Sequence, residues 1–117
     1  MKMILYHGTG ARREQSIKKH GLTPKMGSFV YASPNRDIAE FVAAGRAELE
    51  DDWALVVAFY TDADIWEVDP LFPDSLRSRE KVDSKQLTSF TIMDPKEEMK
   101  AYKFMKTLIA RGRIWLK

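Results

Sequence analysis

The spacing of hydrophobic residues predicts short strands and helices that alternate along the first half of the chain. An apolar run at residues 3–6 predicts a buried strand. We expect that strand to end at Gly8 and Gly10, where the backbone can turn without a Cβ penalty. This prediction places His7 where the strand meets a loop.

Two helices and a second strand are predicted next. Residues 12–20 predict a short polar helix that is capped by Gly21. Residues 29–32 predict a strand, and the Ser33-Pro34 pair that follows predicts a helix start, with Ser33 as the cap. The apolar face of this helix is expected to consist of Ile38, Phe41, Val42, Gly45 and Leu49.

The second half of the chain begins with the most hydrophobic stretch. Residues 53–60 are nearly continuous in apolar and β-branched residues, which is typical of a central strand buried on both faces. A turn is predicted at 62–64, a further extended segment at 65–68, and a strand at 87–93. Residues 76–82 are charged, and their pattern does not distinguish a strand, a helix or a loop.

A last helix is predicted after Asp94, which forms a capping box with Glu97 and is followed by Pro95. Its apolar stripe is expected to be Met99, Tyr102, Met105, Leu108 and Ile109, and it should end near Gly112. The elements together predict one α+β domain over residues 1–117, with a small mixed or antiparallel split β-sheet core flanked by short helices.

Composition narrows the chemistry of this domain. The chain has 117 residues, no Cys and only two His, which excludes disulfides and thiolate chemistry and leaves no favourable set of metal ligands. Its apolar runs are too short to span a bilayer, so we expect a cytoplasmic protein without a membrane partner. After residue 95 there are seven Lys/Arg against two Glu, so the basic C-terminal helix is a candidate contact surface, or a solvated helix face.

Three pieces of the sequence, in this order, resemble the ADP-ribosyltransferase superfamily, and the resemblance covers roughly residues 3–45. The pieces are Leu5-Tyr6-His7-Gly8-Thr9, then IKKHGL at 17–22, then Val30-Tyr31-Ala32-Ser33 followed by Ala39-Glu40-Phe41. The resemblance implies an ADP-ribosyltransferase-like fold with NAD as a substrate. It also implies cleavage of the nicotinamide glycosidic bond and transfer of ADP-ribose to a protein or nucleic acid, in the manner of a bacterial or phage effector.

The resemblance also implies roles for individual residues. His7 would bind the ribose, backbone groups of Gly8 would bind the nicotinamide amide, and Tyr31 would stack on the pyridinium, which an aromatic face attracts. Each of these residues, taken alone, would be interpreted as structural. The implied NAD-binding residues are Tyr6, His7, Gly8, Thr9, Tyr31, Ser33, Arg46 and Arg79.

At the third motif of the superfamily, this sequence departs from the form that uses a catalytic Glu. Aligning Gln86-Leu87 with the family's Gln-Ile/Val pair puts Ser78 or Arg79 at the Glu position. Glu80 is the nearest carboxylate, so it joins His7 and Tyr31 as a candidate catalytic residue. It requires a slip in strand register, and a slip of one residue turns the side chain to the opposite face.

Two other functions remain open. Ala44-Gly45-Arg46 is similar to a step in the RNA 2′-phosphotransferases, which use NAD to remove a phosphate through arginines and a histidine. Arg46 and Arg79 would suit that task, because a guanidinium forms two parallel hydrogen bonds to an oxyanion. The third hypothesis is an inactive module that binds NAD or ADP-ribose.

Overall fold

The computed structural model describes residues 1–25, 27–72 and 74–94, and in these ranges the chain forms an α+β fold. The strands are β1 (Lys2–Gly10), β2 (Val30–Ala32), β3 (Ala54–Asp62), β4 (Glu67–Val68), β5 (Leu76–Ser78) and β6 (Leu87–Met93). The α-helices are α1 (Glu14–His20) and α2 (Arg36–Glu50), and short 3-10 turns lie at Ala11–Arg13, Ala63–Ile65 and Ser84–Gln86.

The strands form two antiparallel sheets of three strands each. The larger sheet has the order β1-β3-β6, and the smaller has the order β2-β5-β4. The sheets meet where Tyr6 of β1 and Ser33, just after β2, exchange two backbone hydrogen bonds of 2.8 and 2.9 Å. Beyond this bridge the two strands are not paired in the described residues, so a cleft opens between the sheets.

One face of the larger sheet packs bulky side chains against α1 and the smaller sheet. Phe59 of β3 is fully buried, and its ring lies 5.8 Å from that of Trp66. The Trp66 indole N–H donates a buried hydrogen bond to Thr61 at 2.7 Å, which satisfies its polar atom in the core. The buried residues of this cluster are Leu5, Ile17, Leu22, Val30, Ala32, Leu55, Val57, Phe59, Trp66 and Val82.

The opposite face of the larger sheet packs small side chains against α2. The buried members of this cluster are Ala39, Ala43, Ala47, Ala54 and Val56. A Cβ added at Gly8 would lie 2.1 Å from the backbone oxygen of Ala39, a distance that real Cβ atoms do not reach. Gly8 therefore allows the backbone of α2 to rest directly on β1.

The structure corrects the predicted end of the first strand. Strand β1 continues to Gly10, and Gly8 pairs with Val56 inside it, so His7 lies within a strand and not at a strand end. Glycine was taken as a turn signal, but its missing side chain is needed here for contact with the helix. Gly21, by contrast, ends α1 with a positive φ of 75° as predicted.

The start and the buried face of α2 also differ from prediction. Asn35 caps the helix by accepting a hydrogen bond from the Asp37 N–H at 2.9 Å, so the prediction of Ser33 as the cap was wrong. Leu49 is 86% exposed, and Val42 is 39% exposed. The buried stripe consists mostly of alanines, because only small side chains fit between the helix and β1.

Several remaining elements agree with the sequence. The predicted strands at 53–60 and 87–93 correspond to β3 and β6 within one or two residues. Residues 76–82, for which no element is predicted, contain β5. The extended segment predicted at 65–68 divides into the end of a 3-10 turn and the two-residue β4. The predicted helix after Asp94 and its basic surface lie outside the described residues. No helix in the described ranges has the length and hydrophobicity that a bilayer crossing requires.

Candidate functional site

The cleft between the two sheets contains two adjoining cavities that share His7, Tyr31 and Arg46. The smaller cavity has a volume of about 220 Å³ and lies between β1, β2, α2 and the loop that joins β4 to β5. The larger one, of about 540 Å³, extends from His7 towards α1 and the segment before β2. An elongated ligand with two ends could therefore occupy both cavities and cross over His7 and Tyr31.

The edge of β1 supplies the smaller cavity with an adjacent donor and acceptor. Tyr6 directs its backbone N–H and C=O to Ser33, away from β3. Because alternate residues of an antiparallel strand direct these groups to the same edge, Gly8 directs its own N–H and C=O away from β3 as well. Gly8 lines the smaller cavity, so this pair of groups suits a carboxamide, which offers one acceptor and one donor side by side.

The hydrogen bond of His7 fixes which ring nitrogen carries the proton. Its Nδ1 lies 2.6 Å from the backbone oxygen of Tyr31, and since a carbonyl oxygen only accepts, Nδ1 is the donor. No buried side-chain nitrogen or oxygen in the described residues lacks a partner, so Nε2, which is not otherwise bonded there, is open to the cleft. A neutral His7 thus presents Nε2 as a hydrogen-bond acceptor for a hydroxyl group.

The surroundings of His7 favour this neutral form. Burial lowers the pKa of His7 below its usual value, because desolvation penalises the imidazolium. The hydrogen bond to Tyr31 opposes this effect, and the positive charges of Arg46 and Arg13 add to it. The lowered pKa keeps Nε2 unprotonated at neutral pH.

Tyr31 lines both cavities. The flanking residues of β2 are buried, whereas Tyr31 is 42% exposed. Its backbone oxygen holds His7, so one residue orients the imidazole and offers an aromatic face beside it. The structure thus brings Tyr31, His7 and Gly8 together around the smaller cavity.

The other residues predicted from the first two motifs also lie at the cleft, but their polar groups differ in availability. The Ser33 hydroxyl donates to the Asp74 carbonyl at 2.5 Å and accepts from the Asn35 N–H at 3.0 Å, so it holds the cavity wall together. Tyr6 lines the smaller cavity and is half-buried against the alanine cluster. Thr9 lines the larger cavity and is buried.

Arg46 of α2 lies at the junction of the two cavities. Its side chain is exposed, and no salt bridge holds it within the described ranges. The larger cavity is also lined by Arg13, His20 and Lys25, and none of its described lining residues is acidic. Arg13 is bound by both carboxylate oxygens of Glu50, so Arg46 and Lys25 are the more available cations. This lining suits an anionic group such as a diphosphate.

The structure does not bring Glu80 to His7 and Tyr31. Glu80 is exposed in the bend after β5, and it lines a separate cavity that shares no described residue with the other two. Ser78 is turned inward and accepts a hydrogen bond from the Glu80 N–H at 3.1 Å. Arg79 lines neither cleft cavity, although its guanidinium lies 4.5 Å from the ring centre of Phe29, which lines the larger one. The register of β2 and β5 determines this placement, because it turns Ser78 to the interior.

Sequence reasoning missed part of the site. Asp69, Phe72 and Ser75 complete the wall of the smaller cavity, and all three belong to the loop between β4 and β5. No motif marks Asp69, and its side chain accepts a turn hydrogen bond from the Leu71 N–H at 2.9 Å. Nothing in the local sequence distinguishes that role from a position in a cleft.

The described residues contain no group of three or more His, Cys, Asp or Glu side chains that could hold a metal ion. Comparison with known proteins adds no assignment, since no protein-family model matches the chain and no curated protein matches it.

Proposed function

We propose that this protein is an NAD-dependent ADP-ribosyltransferase, which cleaves the bond between nicotinamide and ribose and transfers ADP-ribose to a protein or nucleic acid. The observation that carries the proposal is the pair of cavities joined at His7 and Tyr31, with the backbone edge of Gly8 in the smaller one. The ADP-ribosyltransferase-like fold is part of the proposal, and the meeting of two antiparallel sheets at the cleft supports it.

The two cavities match the two halves of NAD in polarity. Nicotinamide would occupy the smaller cavity, where Gly8 meets its carboxamide and Tyr31 stacks on the cationic ring. The diphosphate would lie near Arg46, and the adenosine would extend into the larger cavity. His7 would accept a hydrogen bond from a ribose hydroxyl through Nε2, which its tautomer leaves free.

The reaction requires positioning and electrostatic support more than a strong nucleophile. The glycosidic C–N bond breaks, its electron pair passes to the ring nitrogen, and neutral nicotinamide leaves. The positive charge on the ribose is then quenched by an oxygen or nitrogen of the acceptor, which loses a proton. The proposal assigns no step to Glu80, because that side chain lies outside the cleft.

The test is incubation with NAD that carries separate labels on nicotinamide and on the adenylate phosphate, in the presence of a cell lysate. We expect nicotinamide release together with transfer of the phosphate label to a macromolecule. His7→Ala should reduce release by at least about 100-fold, while circular dichroism shows a retained fold. Tyr31→Ala should weaken NAD binding much more than Tyr31→Phe, because stacking requires the ring. Glu80→Gln is the control and should behave as wild type.

The second candidate, NAD-dependent removal of a 2′-phosphate from RNA, is favoured by Arg46 beside His7. It predicts phosphate loss from a 2′-phosphorylated oligonucleotide, with Arg46→Ala as the damaging change. If NAD binds but neither nicotinamide release nor phosphate loss occurs, the protein is a binding module and both enzymatic proposals are wrong.

A further inference from the structure

Asp69 is an acidic residue that lines the smaller cavity, in a position that no motif predicts. It follows β4 directly and is only 7% exposed. Its backbone N–H donates to the Ser75 carbonyl at 2.9 Å, which closes the loop, and its Oδ1 accepts from the Leu71 N–H. The Leu71 N–H therefore orients the carboxylate, and the backbone bond to Ser75 holds Asp69 itself at the base of the loop.

The charge of Asp69 is not neutralised by a neighbouring cation in the described part of the chain. None of the ion pairs there includes it, although Arg46 lines the same cavity. A cationic ligand in the cavity would supply the partner charge that this carboxylate lacks among the described residues. Asp69 is also the only acidic residue among the described residues that line either cavity.

We propose that Asp69 is the carboxylate that faces the positive charge of a bound cationic heteroaromatic ring, the pyridinium of NAD in the proposed function on which this inference rests. The two charged residues of the smaller cavity then match the two charges of NAD, with Asp69 towards the pyridinium and Arg46 towards the diphosphate. Asp69 forms no covalent bond. When the C–N bond breaks, the positive charge moves from the ring nitrogen to the ribose, so the role of Asp69 is to bind the cationic ring before that step.

This assignment gives the cleft a carboxylate, which the third motif of the sequence does not supply. Glu80 cannot supply one, since it lies with Glu67 and Asp64 around a separate cavity. Asp69 instead lines the smaller cavity from the loop between β4 and β5. A carboxylate there can act on ring charge without contact with the acceptor.

The test compares two probes that differ in ring charge and share the carboxamide, namely nicotinamide and 1-methylnicotinamide. Wild-type protein should bind the cation about tenfold more tightly than the neutral ring, which a single nearby charge can provide. Asp69→Asn should abolish this preference and leave nicotinamide affinity unchanged, because the Asn oxygen can still accept from Leu71. The affinity for NAD should fall about tenfold in the same variant, because the same charge contact is lost.

Asp74→Asn is the matched control. Asp74 belongs to the same loop, is exposed and lines a different cavity, and Asn tolerates its positive φ of 55°. It should retain the wild-type preference for the cation. Thermal unfolding of both variants checks that the loop is intact.

The outcomes separate this inference from the proposed function. If Asp69→Asn keeps the preference for the cation, or loses both probes equally, Asp69 does not face the ring charge and the inference is overturned. If the preference depends on Asp69 but wild-type protein releases no nicotinamide from NAD, the cation subsite stands and the transferase proposal fails. If wild-type protein binds neither probe, both are wrong.

Discussion

The two faces of the β1-β3-β6 sheet are packed in opposite ways. One face buries bulky side chains such as Phe59 and Trp66 against α1 and the smaller sheet. The other face buries alanines against α2, and Gly8 lets the helix backbone touch the strand. The bulky face supplies most of the apolar burial. The face with small side chains determines how closely the backbone of α2 approaches β1. That distance brings Arg46 and Val42 of α2 to the edge of the cavity where Gly8 presents its backbone.

The largest expected effect is on the bulky face. Phe59→Ala should lower the free energy of unfolding by about 3–5 kcal/mol, because it removes a fully buried ring and leaves a cavity beside Trp66. Chemical denaturation measures the loss. Val56→Ala, on the opposite face of the same strand, should cost less because fewer atoms are removed. Equal losses would show that the two faces do not differ in this way.

A smaller loss of stability is expected on the other face, where the substitution adds atoms instead of removing them. Gly8→Ala should destabilise the protein by about 1–3 kcal/mol, because the added methyl group meets the backbone of Ala39 and α2 must move. Gly10→Ala is the control, since its nearest atoms belong to the side chains of Glu50 and Asp52, and Arg13. If Gly8→Ala proves as mild as Gly10→Ala, close helix contact does not set the geometry of the cleft.

The smallest effect concerns His7, the polar ring on the bulky side of β1. Its pKa is lowered in the folded protein, so the unfolded chain takes up a proton first, at about pH 6.5. The stability that depends on neutral His7 is present above that pH and is lost as the pH falls below it. Melting temperatures should therefore decline as the pH is lowered through about 6.5 in wild type, and less in His7→Gln.

His20→Gln serves as the control for this pH dependence, because His20 is exposed. It should decline with pH as wild type does. The acidic groups with lowered pKa values, such as Glu50 beside Arg13, lose their contribution to stability only at lower pH. They therefore do not account for a decline in melting temperature that begins near pH 6.5. A His7→Gln profile as steep as that of wild type would show that His7 is not the group responsible.

The sequence by itself predicted the α+β class, most strand and helix positions and the turn at Gly21, because these follow from local periodicity and backbone preference. It also identified His7, Gly8, Tyr31 and Arg46, which the structure brings together at one cleft. The order of three motifs points to His7, Gly8 and Tyr31, and the Ala44-Gly45-Arg46 step points to Arg46; no property of a single residue does so.

Tertiary structure alone decided the features that depend on distance between elements. Gly8 was interpreted as a turn residue, since the chain gives no sign that a helix backbone lies 2.1 Å from its missing Cβ. The predicted apolar face of α2 omits the buried Ala43 and Ala47 for the same reason, because a small side chain is informative only when its partner is known. Asp69 was hidden as well, since a carboxylate that accepts a local turn hydrogen bond has the same sequence signature whether its other oxygen faces solvent or a cavity. The pairing of β2, β5 and β4 places Glu80 outside the cleft and Asp69 at it. Such pairing joins residues that are distant in sequence, so local patterns do not determine it.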